Sequence, residues 1–142
     1  MLLLAWTEIT GIVGNHGIGD DFAHTVYSPA VAVVHGMSPY GDPRIPGPLA
    51  GSVYPPSAFL PVAWIGLLGH DAAVAVWLVL MSAAACATLL VLGVRDFRCF
   101  ALWLMTPMML STIAIGNATV LVILLVAVLW RWQTGPGSPE LR

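Results

Sequence analysis

The segment Ala72–Gly93 reads AAVAVWLVLMSAAACATLLVLG and carries no charged residue. About 20 consecutive apolar residues are needed for a helix to cross the hydrocarbon core of a bilayer, so this stretch predicts a transmembrane helix. The whole chain has 142 residues, of which 58% are hydrophobic and 8% are charged. Because a soluble domain is about 25% charged, the composition predicts an all-α, polytopic helical membrane protein.

The apolar pattern on both sides of this helix predicts about four transmembrane segments in total. Residues 1–14 are expected to form a partial transmembrane or interfacial helix, residues 57–68 an interfacial or re-entrant helix, and residues 99–115 and 118–130 two further spans. Pro107 interrupts the first of these spans, and a tight turn at Gly116-Asn117 separates the two. The Gly- and Pro-rich tail, residues 133–142, is predicted to be disordered and cytoplasmic.

The positions of the arginines predict the orientation. If Arg95 and Arg98 are cytoplasmic, then Arg131 and Arg142 are cytoplasmic as well, as the positive-inside bias expects. The long polar segment 15–56 is then an extracytoplasmic loop, provided that residues 57–68 do not cross the membrane. The chain is therefore expected in the cell membrane as a multi-pass protein.

Short helices and turns are predicted within the 15–56 loop. Asp20 or Asp21 can cap the start of a helix whose apolar residues Phe22, Val26 and Ala30 recur about one turn apart. Pro29 is expected either to kink this helix or to begin a second helix capped by Ser28. Gly36 is a suitable C-terminal stop. The many prolines that follow predict irregular, extended backbone up to Pro56.

The carboxylates Asp20 and Asp21 are the first candidates for chemistry. They follow an apolar segment, so they would lie at the bilayer surface, where a lipid head group and a hydrophilic acceptor can both reach them. One carboxylate could act as a general base that takes a proton from an acceptor hydroxyl. The alternative is that the pair only satisfies free N–H groups at a helix start.

Four other residues of the loop are candidates for substrate binding: His24, which is three positions after Asp21, Arg44, which could pair with a phosphate, and Tyr40 and Tyr54, which could stack on a sugar ring. Solvation, ion pairing and interfacial anchoring are the corresponding structural alternatives. The spacing of His16, His24 and His35 matches no compact ligand motif, so no metal site is predicted. The chain has no Lys and no basic run, which argues against nucleic acid as a partner.

The order of these residues resembles the N-terminal part of the bacterial glycosyltransferase family 87, which includes polyprenyl-phosphate-mannose-dependent mannosyltransferases. The resemblance covers most of residues 20–131 and rests on the following pieces: Asp21-Phe22, Tyr27, Gly36, Pro39-Tyr40, Val53-Tyr54-Pro55-Pro56, Pro107 and Gly116 to Leu121. It implies that residues 1–132 are a partial GT-C-like fold and that Asp21, or else Asp20, is the catalytic base.

The resemblance also implies the reaction. A hexose, mannose in the mannosyltransferases of the family, would move from a polyprenyl-phosphate donor to an extracytoplasmic glycan or glycolipid acceptor, without a cofactor. The family's usual Gly-Gln pair is Gly116-Asn117 here, and its later segments are absent, so the chain is expected to be a fragment. The alternative function is a small non-enzymatic membrane protein, either an assembly partner or a transporter subunit.

Overall fold

The computed structural model describes residues 17–40 and 54–134, together with Thr7, Thr10 and Gly11. Every regular element in these residues is helical and none is a strand, which confirms the all-α prediction. Five helices give the order of the chain: α1 over residues 20–34, α2 at His70–Val91, α3 at Phe97–Leu104, α4 at Pro107–Ile115 and α5 at Thr119–Thr134. Two short 3₁₀ segments, Pro56–Ala58 and Ala63–Leu67, precede α2.

Helix α1 is continuous but changes its winding in the middle. It is α-helical at Asp20–Phe22, π-helical at Ala23–Tyr27 and α-helical again at Ser28–Val34. The backbone N–H and the hydroxyl of Ser28 both donate to the carbonyl of Ala23, the latter over 2.8 Å. Pro29 lies in the first turn of the second α-helical segment, Ser28–Val34, where its missing N–H is tolerated. The alternative of a second helical segment with Pro29 in its first turn is therefore confirmed, but its predicted cap is wrong, because the N-cap is Tyr27 and the Ser28 hydroxyl donates to the Ala23 carbonyl instead.

The C-terminal end of α1 agrees with the prediction that Gly36 stops it. Gly36 has φ +70°, and the N–H groups of Gly36 and Met37 donate to the carbonyls of Val33 and Ala32 over 3.0 and 2.8 Å. These two bonds form a Schellman motif, which glycine favours because the left-handed conformation is strained for other residues.

Residues 54–69 form a compact segment rather than one interfacial helix. The two 3₁₀ segments are joined by turns, and Phe59 and Ile65 are the residues that this segment buries. Gly66 lies directly on the backbone of α1, where a Cβ would come within 2.8 Å of the Ala30 carbonyl carbon. Residues 57–68 were predicted as a single interfacial or re-entrant helix. They instead form short 3₁₀ segments and turns that pack on α1.

Helix α2 is the longest helix and the centre of the packing. It contributes Ala73, Trp77, Met81, Ala84 and Ala85 to the hydrophobic core, which they share with Phe22 and Val26 of α1 and with buried residues of the later helices. Phe22, Val26 and Ala30 are all buried, as their spacing predicts. Helix α5 packs along α2, whereas α3 and α4 pack more lightly against it.

The described residues contain one candidate membrane span, or two if a bent pair of helices is counted as one span. Among the described residues, α2 is the one single helix that is long and apolar enough to cross a membrane. Helices α3 and α4 would form a second span if taken together, but their axes differ by 67° at the break before Pro107. Helix α5 is apolar and has 16 residues. Residues 1–14, apart from Thr7, Thr10 and Gly11, and the tail from residue 135 lie outside the described residues.

Candidate functional site

The start of α1 is fastened to the turn between α4 and α5. The N–H of Gly19 donates to the carbonyl of Ala114 over 2.8 Å, and the indole N–H of Trp77 donates to the carbonyl of Gly116 over 2.7 Å. The rings of Phe22 and Trp77 are stacked, with centroids 4.9 Å apart and planes inclined by 24°. Three separate parts of the chain thus meet at this end of the helices and hold Asp20 and Asp21 in place.

Asp20 and Asp21 occupy the first turn of α1, but neither caps it. The N-cap is Gly19, with φ 77°, and it makes no side-chain capping bond, so the capping prediction for the two aspartates is wrong. Burial raises the pKa of the Asp21 carboxyl, and the charge of Asp20 raises it further, while His24 lowers it. Carboxylates in a first turn are favoured by the helix dipole, which explains why both are tolerated there.

His24 makes its closest contact with Asp20. Its Nε2 lies 3.5 Å from Oδ1 of Asp20, one helical turn away, and both side chains are substantially exposed. His24 also lowers the pKa of Asp21 by its charge, so it lies near both aspartates, with the direct contact at i−4. The Asp20–His24 pair is solvated, whereas Asp21 is the more enclosed carboxyl.

Tyr54 approaches Asp21 from the other side of the site. Burial raises the pKa of the Tyr54 phenol, and the negative charge of Asp21 raises it further, while a side-chain hydrogen bond with Thr25 lowers it. The hydroxyl of Thr25 also donates to the backbone carbonyl of Asp21 over 2.7 Å. Tyr40 is nearby in the fold, because its hydroxyl donates to the carbonyl of Tyr54 over 2.9 Å. Two of the predicted tyrosines are thus brought together, and Tyr54 is the one close enough to interact with Asp21.

The junction between the 54–69 segment and α2 is held by Tyr27. Its hydroxyl donates to the carbonyl of Leu68 over 2.9 Å, and its ring meets the edge of the His70 ring at 5.4 Å. His70 and Asp71 contact each other at 3.2 Å, but the N-cap of α2 is Gly69, with no side-chain capping bond. Neither His70 nor Asp71 therefore caps α2.

An apolar groove lies beside the site, with a volume of about 380 Å³. It runs between the 3₁₀ segments, α2 and the first half of α5, and its walls include Trp64, Ile65, Trp77, Leu80, Met81 and Leu124. Trp77 belongs to both features, since one part of its side chain lines the groove and its ring stacks on Phe22, the residue after Asp21. The apolar groove therefore connects through Trp77 and Phe22 to the first turn of α1, which carries Asp21.

The structure brings together five of the six predicted site residues, Asp20, Asp21, His24, Tyr40 and Tyr54. Arg44 lies outside the described residues, as does His16. Among the residues that are described, no three His, Cys, Asp or Glu side chains are grouped as metal ligands. The sequence reasoning missed Trp77 and Thr25. A tryptophan within an apolar span was a usable signal, because its indole N–H needs an acceptor when buried.

Comparison with models of known protein families found no match for the chain, and neither did searches among curated proteins and solved structures. The resemblance to family 87 therefore stays a prediction, and the site is interpreted from its own geometry.

Proposed function

We propose that the chain is a membrane glycosyltransferase in which Asp21 is the general base. It would transfer a hexose, mannose in the preferred version, from a polyprenyl-phosphate donor to an extracytoplasmic glycan or glycolipid acceptor. The observation that carries the proposal is that Asp21, a partly buried carboxyl with a raised pKa, directly precedes Phe22, whose ring stacks on Trp77 in the wall of an apolar groove. A lipid-linked sugar needs both features at neighbouring positions.

The proposed membrane arrangement uses α2, the bent pair α3–α4 and α5 as spans, together with residues 1–14 as a fourth segment. Only 28% of the most apolar window of α2 is buried inside the protein, so most of this helix is left to face lipid. Its polar side chains are satisfied locally: Ser82 and Thr88 donate to the carbonyls of Leu78 and Ala84 over 2.8 and 2.9 Å. Local hydrogen bonding of this kind is what a hydrocarbon environment demands.

The proposed reaction is a direct displacement. The carboxylate of Asp21 takes the proton from an acceptor hydroxyl, and the resulting oxygen attacks the anomeric carbon of the donor. The bond between that carbon and the phosphate oxygen breaks, and polyprenyl phosphate leaves with the bonding electrons. A raised pKa strengthens the Asp21 carboxylate as a base. Activity should therefore fall on acidification, at a higher pH than for a solvated carboxylate.

The remaining candidates are given supporting roles. The groove beside Trp77 would hold the first isoprene units of the donor, because its walls are apolar. Tyr54 and Tyr40 would contact the sugar, and Arg44 would pair with the phosphate. His24, which is exposed and next to Asp20, would contact the acceptor. Membrane lipid surrounds the helices, and the reaction needs no cofactor.

The test is sugar transfer by purified protein in lipid vesicles, with polyprenyl-phosphate [¹⁴C]mannose as donor and a soluble mannoside as acceptor. Asp21→Asn should lower the rate by about 10²- to 10⁴-fold, the usual contribution of a general base. Asp71→Asn is the matched control, because that side chain is fully exposed at the start of α2. Equal rates for Asp21→Asn and the unmodified protein would refute the role of Asp21.

A second candidate function is supported by the outer faces of α5. Leu125, Val126 and Leu129 are 61%, 60% and 55% exposed, so this helix offers a broad apolar surface that another membrane protein could cover. In that case the chain would be an assembly partner or transporter subunit. Two results together would favour this function: the protein transfers no sugar, and a stoichiometric partner co-purifies with it in mild detergent. The partner should be lost in the Val126→Trp variant.

A further inference from the structure

We infer that Trp77 is a positioning residue for Asp21, an inference that rests on the proposed function. Trp77 does not touch the carboxylate. It braces the first turn of α1 against the α4–α5 turn: its indole N–H donates to the buried Gly116 carbonyl over 2.7 Å, and its ring stacks on Phe22 at 4.9 Å. Because Phe22 follows Asp21 directly in α1, any displacement of the indole is passed to the carboxylate through one peptide unit.

The contact is tight enough to transmit small shifts. At Gly116 a Cβ would approach the Cβ of Phe22 to 2.6 Å and Cδ1 of Trp77 to 3.3 Å, so these three residues meet without free space. A third link is the bond from the Gly19 N–H to the Ala114 carbonyl, one residue before α1 begins. The first turn of α1 is therefore held against the α4–α5 turn, with Trp77 at the centre of the joint.

The hydrogen bond is the part of this joint that only an N–H donor provides. A phenylalanine at residue 77 keeps an aromatic ring for stacking but leaves the buried Gly116 carbonyl without its partner. The turn must then move or admit water, and in either case α1 loses its fixed support. Trp132 offers a comparison at a tryptophan outside the proposed site, because it lies near the end of α5, is 78% exposed and does not line the groove.

The first measurement is transfer activity of Trp77→Phe and Trp132→Phe. Trp77→Phe should lower kcat about tenfold to a hundredfold with little change in the KM for donor, as expected when a catalytic group is misplaced by a fraction of an ångström to 1 Å. Trp132→Phe should stay within about twofold of the unmodified protein. A Trp77→Phe variant with unchanged kcat would overturn the inference.

The second measurement does not depend on activity. The carboxyl of Asp21 is titrated by ¹³C NMR in protein labelled at aspartate, and its signal is identified by its loss in Asp21→Asn. Because burial is the largest cause of its raised pKa, freeing α1 should move the midpoint of Asp21 to lower pH in Trp77→Phe but not in Trp132→Phe. Among the described residues, Asp20, His24 and Tyr54 are the titratable groups that interact with Asp21, so Asp20 is followed in the same spectra and His24 in a second sample labelled at histidine.

The two measurements separate the possible failures. If no variant transfers sugar but the Asp21 midpoint moves in Trp77→Phe alone, the positioning contact stands and the proposed function fails. An unchanged midpoint overturns the positioning contact whatever the activity. Folding is checked by the ¹³C chemical shift of Asp96 in the same spectra, which should be equal in the variant and the unmodified protein. Asp96 accepts the Arg98 N–H over 2.9 Å, beyond the opposite end of α2 from Trp77. If Trp77→Phe does not fold, Phe22→Leu removes the ring stack instead and must move the Asp21 midpoint in the same direction.

Discussion

Two features of the fold require glycine rather than another amino acid at residue 116. Its backbone is left-handed, with φ +78°, and a Cβ at this residue would come within 2.6 Å of the Cβ of Phe22. Asn117 completes the turn, because its side-chain oxygen accepts the backbone N–H of Thr119 over 2.8 Å and also accepts the hydroxyl of Thr119. The expectation that Asn117 satisfies turn backbone is confirmed.

Gly116→Ala should destabilise the protein more than Gly93→Ala. Gly93 has φ +86° but open space around it, so alanine there meets only the backbone strain, about 1–2 kcal/mol. At Gly116 the added methyl also overlaps Phe22, which adds about 1–3 kcal/mol of overpacking. The measurement is the free energy of unfolding in mixed detergent and denaturant. Equal losses for the two variants would show that Phe22 moves aside without cost.

At the scale of elements, α1 shows how a helix can keep its apolar stripe through a proline. The residues Phe22 and Val26 lie in or before the π-helical turn, and Ala30 lies after it, yet all three are buried. The π turn adds a residue to the helix at the point where Pro29 cannot donate. Spacing alone could predict which face is buried, but it could not predict the winding, because an α-helix and a π-helix fit the same short pattern.

The close approach of α1 to the Ala63–Leu67 segment depends on Gly66. A Cβ there would come within 2.8 Å of the carbonyl carbon, the carbonyl oxygen and the next amide nitrogen at Ala30 and Val31. These are backbone atoms of a helix, so they cannot rotate away as a side chain can. The two elements would have to separate, which would expose Ile65 and Ala30.

Gly66→Ser should therefore lower the free energy of unfolding by about 1–3 kcal/mol, the usual cost of overpacking. Gly69→Ser is the matched control, because a Cβ at Gly69 meets nothing within 4 Å and serine is a good N-cap for α2. We expect the control to be neutral or slightly stabilised in a chemical denaturation series. A loss of equal size at Gly69 would contradict the close-packing explanation.

The sequence predicts the helical elements well and their contacts less well. Residues 72–93 were expected as a helix, and α2 runs from His70 to Val91; the break at Pro107 is also where proline places it. The sequence does not predict the 67° angle between α3 and α4 or the hydrogen bond from Gly19 to Ala114 of α4, since both arise from packing between distant segments. The same holds for the site: the carboxylates stand out in the sequence, but Trp77 becomes informative only once Gly116 lies beside it.

At the scale of the whole molecule, the contacts divide the chain between two ends of α2. The start of α1, the 54–69 segment and the Gly116 turn meet at the His70 end, through Gly19, Tyr27 and Trp77. Arg95 and Arg98 follow the opposite end of α2. The two 3₁₀ segments have three and five residues, which is far less than the length of a membrane-spanning helix. We therefore expect Ser57 and Asp71 to lie on the same side of the membrane.

This arrangement predicts the labelling pattern of single cysteines in intact cells. Ser57→Cys and Asp71→Cys, each made in a chain whose two native cysteines are replaced, should both react with a membrane-impermeant maleimide added outside, because both residues are exposed. A third variant keeps Cys99 as its one cysteine. Cys99 is exposed beside Arg98, and it should react only after the membrane is permeabilised. Cys99 labelled from outside while both other sites stay protected would invert the orientation and remove the extracytoplasmic acceptor from the proposed reaction. Labelling of Ser57→Cys and Asp71→Cys from opposite sides would show instead that residues 57–68 cross the bilayer, contrary to the short 3₁₀ segments found there.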